Sequence, residues 1–175
     1  MSVCEQCGGP VRTVRENIEW DALRGSVIIG AEVERCGKCG ALDGVTFQSL
    51  SQLIDVAART VVAKQGRLSG AEVRFLRSFL DLEGAELAET LGSNPSTVSR
   101  WENDRQPIGR HADLFLRALV LLELGETTSA SYFRQIAKDI VEPQPLAFEY
   151  RDGVWAATSV PKRRAAAQKR RAKTA

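Results

Sequence analysis

At 175 residues and 19.2 kDa the chain has room for one or two small domains, and its 43% apolar and 26% charged residues are ordinary for a globular protein. No apolar run approaches the ~20 residues of a membrane span, and the opening MSVCEQCGGP lacks the apolar core of a secretory leader, so a cytoplasmic protein without a membrane segment is expected. The net charge of +2 is unevenly spread, because Lys162, Arg163, Arg164, Lys169, Arg170, Arg171 and Lys173 crowd residues 161–175 with no acid among them and leave the remainder acidic.

The four cysteines fall into two matched pairs. Cys4 and Cys7 are followed by Gly8 and Gly9; Cys36 and Cys39 are followed by Gly40. Two residues between sulfurs let one tight turn aim both thiolates at a single ion. A glycine after the second cysteine permits the positive φ that such a turn needs. Two such knuckles make a closed tetrahedral site for a structural Zn2+. A domain of roughly 40 residues buries too little core to hold itself, so a metal cross-link has a physical role there. The 28 residues between the pairs exceed the spacing of a compact finger. They hold β-type segments at 11–14 and 26–33, with turn or bulge signals at Arg24, Gly25 and Gly30. A small three-stranded zinc ribbon over residues 1–44 is expected. A thioredoxin-like redox motif and a pair of disulfides are the other chemistries such cysteines serve; two matched pairs in a cytosolic chain favour the metal.

Phe47, Leu50, Ile54, Ala57 and Val61 recur at intervals of three and four, so residues 45–65 read as a helix. It is either a connector packed on a neighbour or a partner-binding or dimer-forming face. Gln65, Gly66 and Arg67 break the pattern and place a domain boundary at 66. Ser69, three residues before Glu72, is a capping box that opens the next helix. Its inner stripe is Val73, Leu76 and Leu80, with Phe75 and Phe79 beside it. A second helix near 84–91 turns Leu87, Ala88 and Leu91 inward, and Gly92 ends it. Asn94 is a good N-cap and Pro95 a good first helical residue. They start a third helix that runs to Asn103; Pro107 prevents continuation.

Two short helices joined by a four-residue turn with a glycine form a helix-turn-helix pattern. The second helix of such a pair lies in the major groove of DNA. Val98 and Trp101 should face the core, and Ser96 and Arg100, four apart, should share the outer face. Arg100 can bond guanine through two N–H groups. Ser96 and Thr97 can reach a base or a phosphate. Asn103 and Arg105, at the far end, suit backbone phosphates. With the capping Asn94 these make the DNA-binding candidates.

The stretches LAETLG (87–92) and STVSRWEN (96–103) resemble the Xre/Cro-type helix-turn-helix family over roughly residues 69–142. Joined to a four-cysteine ribbon, that segment resembles the MqsA/YgiT-type antitoxins. The resemblance implies a protein that binds a toxin and represses its own operon, with base-reading side chains at Ser96 and Arg100. Arg100 keeps the family pattern. Ser96 stands where a well-known member has asparagine, so a different DNA sequence is implied. Glu83 and Gly84 replace the hydroxyl residue and glutamine that contact phosphate in the family. Asp104 replaces a glycine, a mild change because aspartate tolerates the left-handed conformation.

A fourth helix is expected over 110–124. Leu114, Phe115, Leu116, Ala118, Leu119, Val120, Leu121, Leu122 and Leu124 make it apolar nearly all round, so it needs cover on most sides. One small domain cannot supply that cover, and a homodimer on a palindromic operator follows. A fifth helix is expected near 130–141. His111, the one histidine, has no nucleophile or base beside it in the sequence and suits capping or a phosphate. Arg151, Asp152 and Gly153 between β-prone residues signal a hairpin within 143–160, which needs a docking site because a lone hairpin is marginal. The basic tail, 161–175, is expected to be disordered, either a solvated end or a DNA backbone contact through Lys162, Arg163, Arg164, Lys169, Arg170 and Arg171.

The expected fold is thus mainly α with a small β zinc ribbon: an N-terminal four-cysteine zinc domain (1–44), a connecting helix (45–66), a five-helix Xre/Cro-type domain (67–142) and a C-terminal extension. The expected function is sequence-specific DNA binding and repression by an antitoxin with a small toxin partner. The alternative is a stand-alone regulator of phage or mobile-element type. No enzyme is expected, because the cysteines are committed to metal and no phosphate-cradling glycine loop follows a strand.

Overall fold

A computed structural model describes residues 3–127, 129–136 and 145–160. In chain order the elements are β1 (Val11–Trp20), β2 (Ser26–Cys36), β3 (Leu42–Thr46), α1 (Leu50–Ala63), α2 (Gly70–Phe79), α3 (Gly84–Thr90), α4 (Pro95–Glu102), α5 (Arg110–Glu123), α6 (Ala130–Ile136), β4 (Ala147–Arg151) and β5 (Val154–Thr158).

This corrects the expected fold class. The chain is not mainly α with a separate small ribbon and a five-helix domain; helices share it with one mixed five-stranded sheet. Two causes explain the difference. The strands β1 and β2 are longer than the segments legible in the sequence, 10 and 11 residues. The C-terminal hairpin is also a part of that sheet. β1 runs antiparallel along one edge of β2. The other edge of β2 takes β3 antiparallel at residues 32–35 and β4 parallel at residues 27–29. β5 closes the path, antiparallel to β4.

The local signals explain how so long a hairpin stays paired. Gly30, at φ +64, sits where the β1–β2 register shifts, and its N–H bonds Asn17 Oδ1 at 3.0 Å. The bulge absorbs one residue and bends the strand. Asp152 and Gly153 both take positive φ, as a two-residue turn matched to strand twist requires. The hairpin they make docks through Phe148, fully buried and edge-to-face with Trp20 at 5.8 Å. Trp155 donates its indole N–H to Gln48 O at 2.6 Å and its backbone N–H to Gln52 Oε1 at 3.1 Å. A side-chain amide there replaces the strand that β5 lacks at the sheet edge.

The described residues form two compact units, and neither follows the expected linear division. The first holds residues 3–20, 26–53 and 145–160; the second holds 21–25, 54–127 and 129–136. The extension expected over 143–160 instead supplies strands that complete the N-terminal sheet. The boundary expected at 66 falls inside the second unit, because most of α1 belongs with the later helices. The buried stripe of α1 is Leu53, Ala57, Ala58, Val61 and Val62, whereas Leu50 is 46% exposed.

A buried ion pair explains why α1 joins the second unit. Arg117 of α5 is fully buried. Its Nε bonds Asp113 Oδ1 at 2.6 Å, and its other nitrogens bond the carbonyls of Val62, Lys64 and Gly66 at 2.6–2.7 Å. Those carbonyls close the end of α1, which a helix leaves without internal partners. Asp113 Oδ2 in turn accepts the Leu68 N–H at 3.0 Å. The expected all-round apolar helix therefore carries a polar staple on its inner face. The predicted fifth helix exists as α6; residues beyond 136 in that helix, and the whole basic tail, lie outside the described residues.

Candidate metal centre and nucleic-acid interface

In the first unit, both knuckles fold as the spacing requires. The Gly8 N–H bonds Cys4 O at 2.8 Å and the Gly40 N–H bonds Cys36 O at 3.0 Å, with Gly8 at φ +66 and Gly40 at φ +73. The two turns are joined by the Gly37 N–H on Pro10 O at 2.8 Å. All four Sγ atoms lie within 4.8 Å of one another. Cys7 and Cys36 are 3.4 Å apart and Cys4 and Cys39 are 3.8 Å apart. Four thiolates around an ion at about 2.3 Å would be about 3.8 Å apart. The cluster could therefore hold one metal ion.

Gly9 adds an independent sign of fit. A Cβ there would lie 2.8 Å from Lys38 Cβ, 3.0 Å from Cys36 Sγ and 3.2 Å from Cys7 Sγ. The backbone closes directly over the sulfurs, and only glycine fits. Sequence reading assigns glycine's role to φ at Gly8 and Gly40 and misses this close approach.

The cysteine electrostatics are asymmetric. The Cys39 and Lys38 N–H groups point at Cys36 Sγ, at 3.5 and 3.3 Å, and hold its thiol down to about 6. The Gly9 N–H favours the Cys7 thiolate, but the Cys39 and Cys36 sulfurs outweigh it and push Cys7 up to about 12. At Cys4 the Gln6 N–H works downward, yet burial and the neighbouring sulfurs raise it. Cys36 thus offers a ready thiolate, while Cys4 and Cys7 keep their protons until a cation displaces them.

In the second unit, α3 and α4 are joined by residues 91–94. Gly92 at φ +60 and the Ser93 N–H on Ala88 O at 2.7 Å end α3. Asn94 caps α4: its Oδ1 accepts the Thr97 N–H at 2.9 Å, the Thr97 hydroxyl at 3.0 Å and the Ser96 hydroxyl at 2.7 Å. Val98 and Trp101 are buried, while Ser96, Ser99 and Arg100 are exposed. The spacing argument for the two faces of α4 therefore agrees with the geometry.

The candidate residues differ in how free they are. The hydroxyl protons of Ser96 and Thr97 serve the cap, which leaves their oxygens as acceptors. Asn103 is occupied at both ends of its amide, donating to Ser99 O at 2.7 Å and accepting from Arg74 at 3.3 Å. Arg100 and Arg105 are exposed. Glu83 caps α3, where its N–H bonds Glu86 Oε2 at 2.6 Å.

Sequence reading misses the lock behind α4. Glu102 accepts from Arg77 Nε at 2.6 Å, and Arg77 also holds Leu82 O at 2.7 Å. No short motif marks that three-part clasp.

The chain matches no family model, no curated protein and no solved structure. Among the described residues, no helix is long and apolar enough to cross a membrane.

Proposed function

We propose that this chain is a sequence-specific DNA-binding repressor, the antitoxin of a toxin–antitoxin pair of the MqsA/YgiT type, acting in the cytoplasm. The observation that carries the DNA reading is the outer face of α4, where Arg100, Ser96 and Ser99 are exposed together while Val98 and Trp101 anchor the opposite side. A helix anchored on one side in this way can lie in the major groove with its outer side chains turned to the base edges. The Arg100 guanidinium offers the two parallel N–H groups that fit guanine O6 and N7.

In this reading the glutamates on α3 make that helix a poor phosphate clamp. The attraction to the backbone then comes from Arg105 and from Lys162, Arg163, Arg164, Lys169, Arg170 and Arg171 of the tail. A homodimer sets two α4 helices on a palindromic operator, about one helical turn apart or a multiple of it. The four cysteines hold a structural Zn2+, which suits a closed all-thiolate site with no open position. That staple keeps the first unit rigid enough to present a surface to a small toxin.

Footprinting of purified protein on the DNA upstream of its own coding sequence tests this reading. Two protected half-sites, together with a small protein that co-purifies at a fixed ratio, support it. Protection without a co-purifying protein removes the antitoxin part and leaves a stand-alone repressor. No protection at micromolar protein contradicts the reading as a whole.

A further inference from the structure

We propose that Cys39 is the corner at which a hydroperoxide attacks the four-cysteine centre, and that a Cys4–Cys39 disulfide then displaces the metal ion. The inference rests on the metal reading of the four cysteines and not on DNA binding. Once an ion is bound, all four sulfurs are thiolates. Ionisation then no longer sets them apart, and access decides which one reacts. Cys4 and Cys36 are 2% and 3% exposed, and Cys7 is half-buried. The Gly9 backbone closes over two of the sulfurs: a Cβ there would lie 3.0 Å from Cys36 Sγ and 3.2 Å from Cys7 Sγ. Cys36 Sγ also accepts the Lys38 and Cys39 N–H groups, which draw electron density from it. Of the four cysteines, Cys39 alone is exposed.

The neighbour of Cys39 completes the chemistry. Cys4 Sγ lies 3.8 Å from Cys39 Sγ. The Cys39 sulfur attacks one oxygen of the peroxide; an S–O bond forms, the O–O bond breaks and hydroxide leaves. The Cys4 sulfur then attacks the Cys39 sulfur; an S–S bond forms, the S–O bond breaks and a second hydroxide leaves. The two thiolates give up two electrons and the peroxide takes them. Cys7 and Cys36 remain as two ligands, too few to close a tetrahedral site, and the ion is released. The new bond joins the same two turns that the metal joined.

The full chain, loaded with stoichiometric Zn2+ and mixed with less than one equivalent of hydrogen peroxide, tests the proposal. A chromophoric indicator reads zinc release, and unreduced peptide mass mapping reads the disulfide. Zinc should leave in step with a Cys4–Cys39 bond. A brief exposure of the zinc-loaded chain to iodoacetamide should label Cys39 first. Cys39→His keeps a fourth ligand at that corner without a thiol, and peroxide should release its zinc several-fold more slowly. A first label on another cysteine, a disulfide that lacks Cys39, or an unchanged release rate in Cys39→His overturns the point of attack. A Cys36–Cys39 bond overturns Cys4 as the second sulfur. Should Cys39→His take up no zinc, the labelling order of the wild type decides the question. A wild type that holds zinc and keeps it under peroxide overturns the proposal and leaves the metal reading standing. A wild type that takes up no stoichiometric zinc overturns both.

Discussion

The Asp104 carboxylate accepts the Gly70 N–H at 2.6 Å, which ties the end of α4 to the first residue of α2. The two backbones touch there. A Cβ on Gly70 would lie 2.5 Å from Trp101 O and 2.7 Å from Glu102 O. Asp104 itself turns the chain at φ +53, and its negative charge suits the N-terminal end of α2. The outer face of α4 is thus oriented by contacts on its inner side.

Gly70→Ala should therefore destabilise the protein by about 1–3 kcal/mol, because backbone oxygens cannot step aside cheaply. Asp104→Ala should cost about 1–2 kcal/mol more than Asp104→Gly, since alanine is strained at positive φ and glycine is not. Urea unfolding measures both. An Asp104→Ala protein as stable as Asp104→Gly would contradict the strain argument.

Arg117→Met should be the most damaging single change away from the cysteines. It leaves Asp113 as a buried unpaired charge and strips the carbonyls of Val62, Lys64 and Gly66 of their donor. Removing one partner of a buried pair costs about 3–5 kcal/mol. A loss below about 1 kcal/mol in the same unfolding assay would show that water can replace the guanidinium.

Metal binding should strengthen with rising pH. Without metal, Cys36 is already ionised above about 6, whereas Cys7 keeps its proton up to about 12. Between those values every binding event must expel the Cys7 proton, so affinity rises as protons become scarcer. Competition with a chromophoric chelator at about pH 6.5 and about pH 8 measures this. Equal affinities at the two values would contradict the displacement of protons from Cys4 and Cys7 on binding. Cys36→Ser should abolish stoichiometric metal and unfold the first unit; stoichiometric metal retained in that variant would contradict the four-thiolate site.

Deleting residues 161–175 should flatten the salt dependence of DNA binding, with a slope change of about 0.9 for each phosphate that is no longer neutralised. Fluorescence anisotropy across a salt series reads it directly. An identical slope would make the tail a bystander.

Much of both sites is legible in the sequence because it rests on short-range rules. The cysteine spacing, the Ser69 capping box, the Asn94 cap and the inward pair Val98 and Trp101 each depend on neighbours within four residues. The sheet is not legible for the opposite reason. Pairing of Ile28 with Phe148 joins positions far apart in the chain, and nothing in either segment names the other. The pairing of Arg117 with Asp113, four residues earlier, is a short-range signal, but its other partners, the carbonyls of Val62, Lys64 and Gly66, lie far back in the chain. Backbone carbonyls leave no trace in composition. Gly9 reads as turn chemistry, although its requirement comes from Lys38 across the site.

Selection from a random duplex library tests the central claim most directly, since it requires no prior operator. Wild-type protein should enrich a palindromic motif containing guanine in each half. Arg100→Ala should bind the enriched duplex about 1–3 kcal/mol more weakly and lose preference at that guanine. No enriched motif, or an Arg100→Ala protein that selects the same motif with equal affinity, would contradict the assignment of α4 as the DNA-reading element.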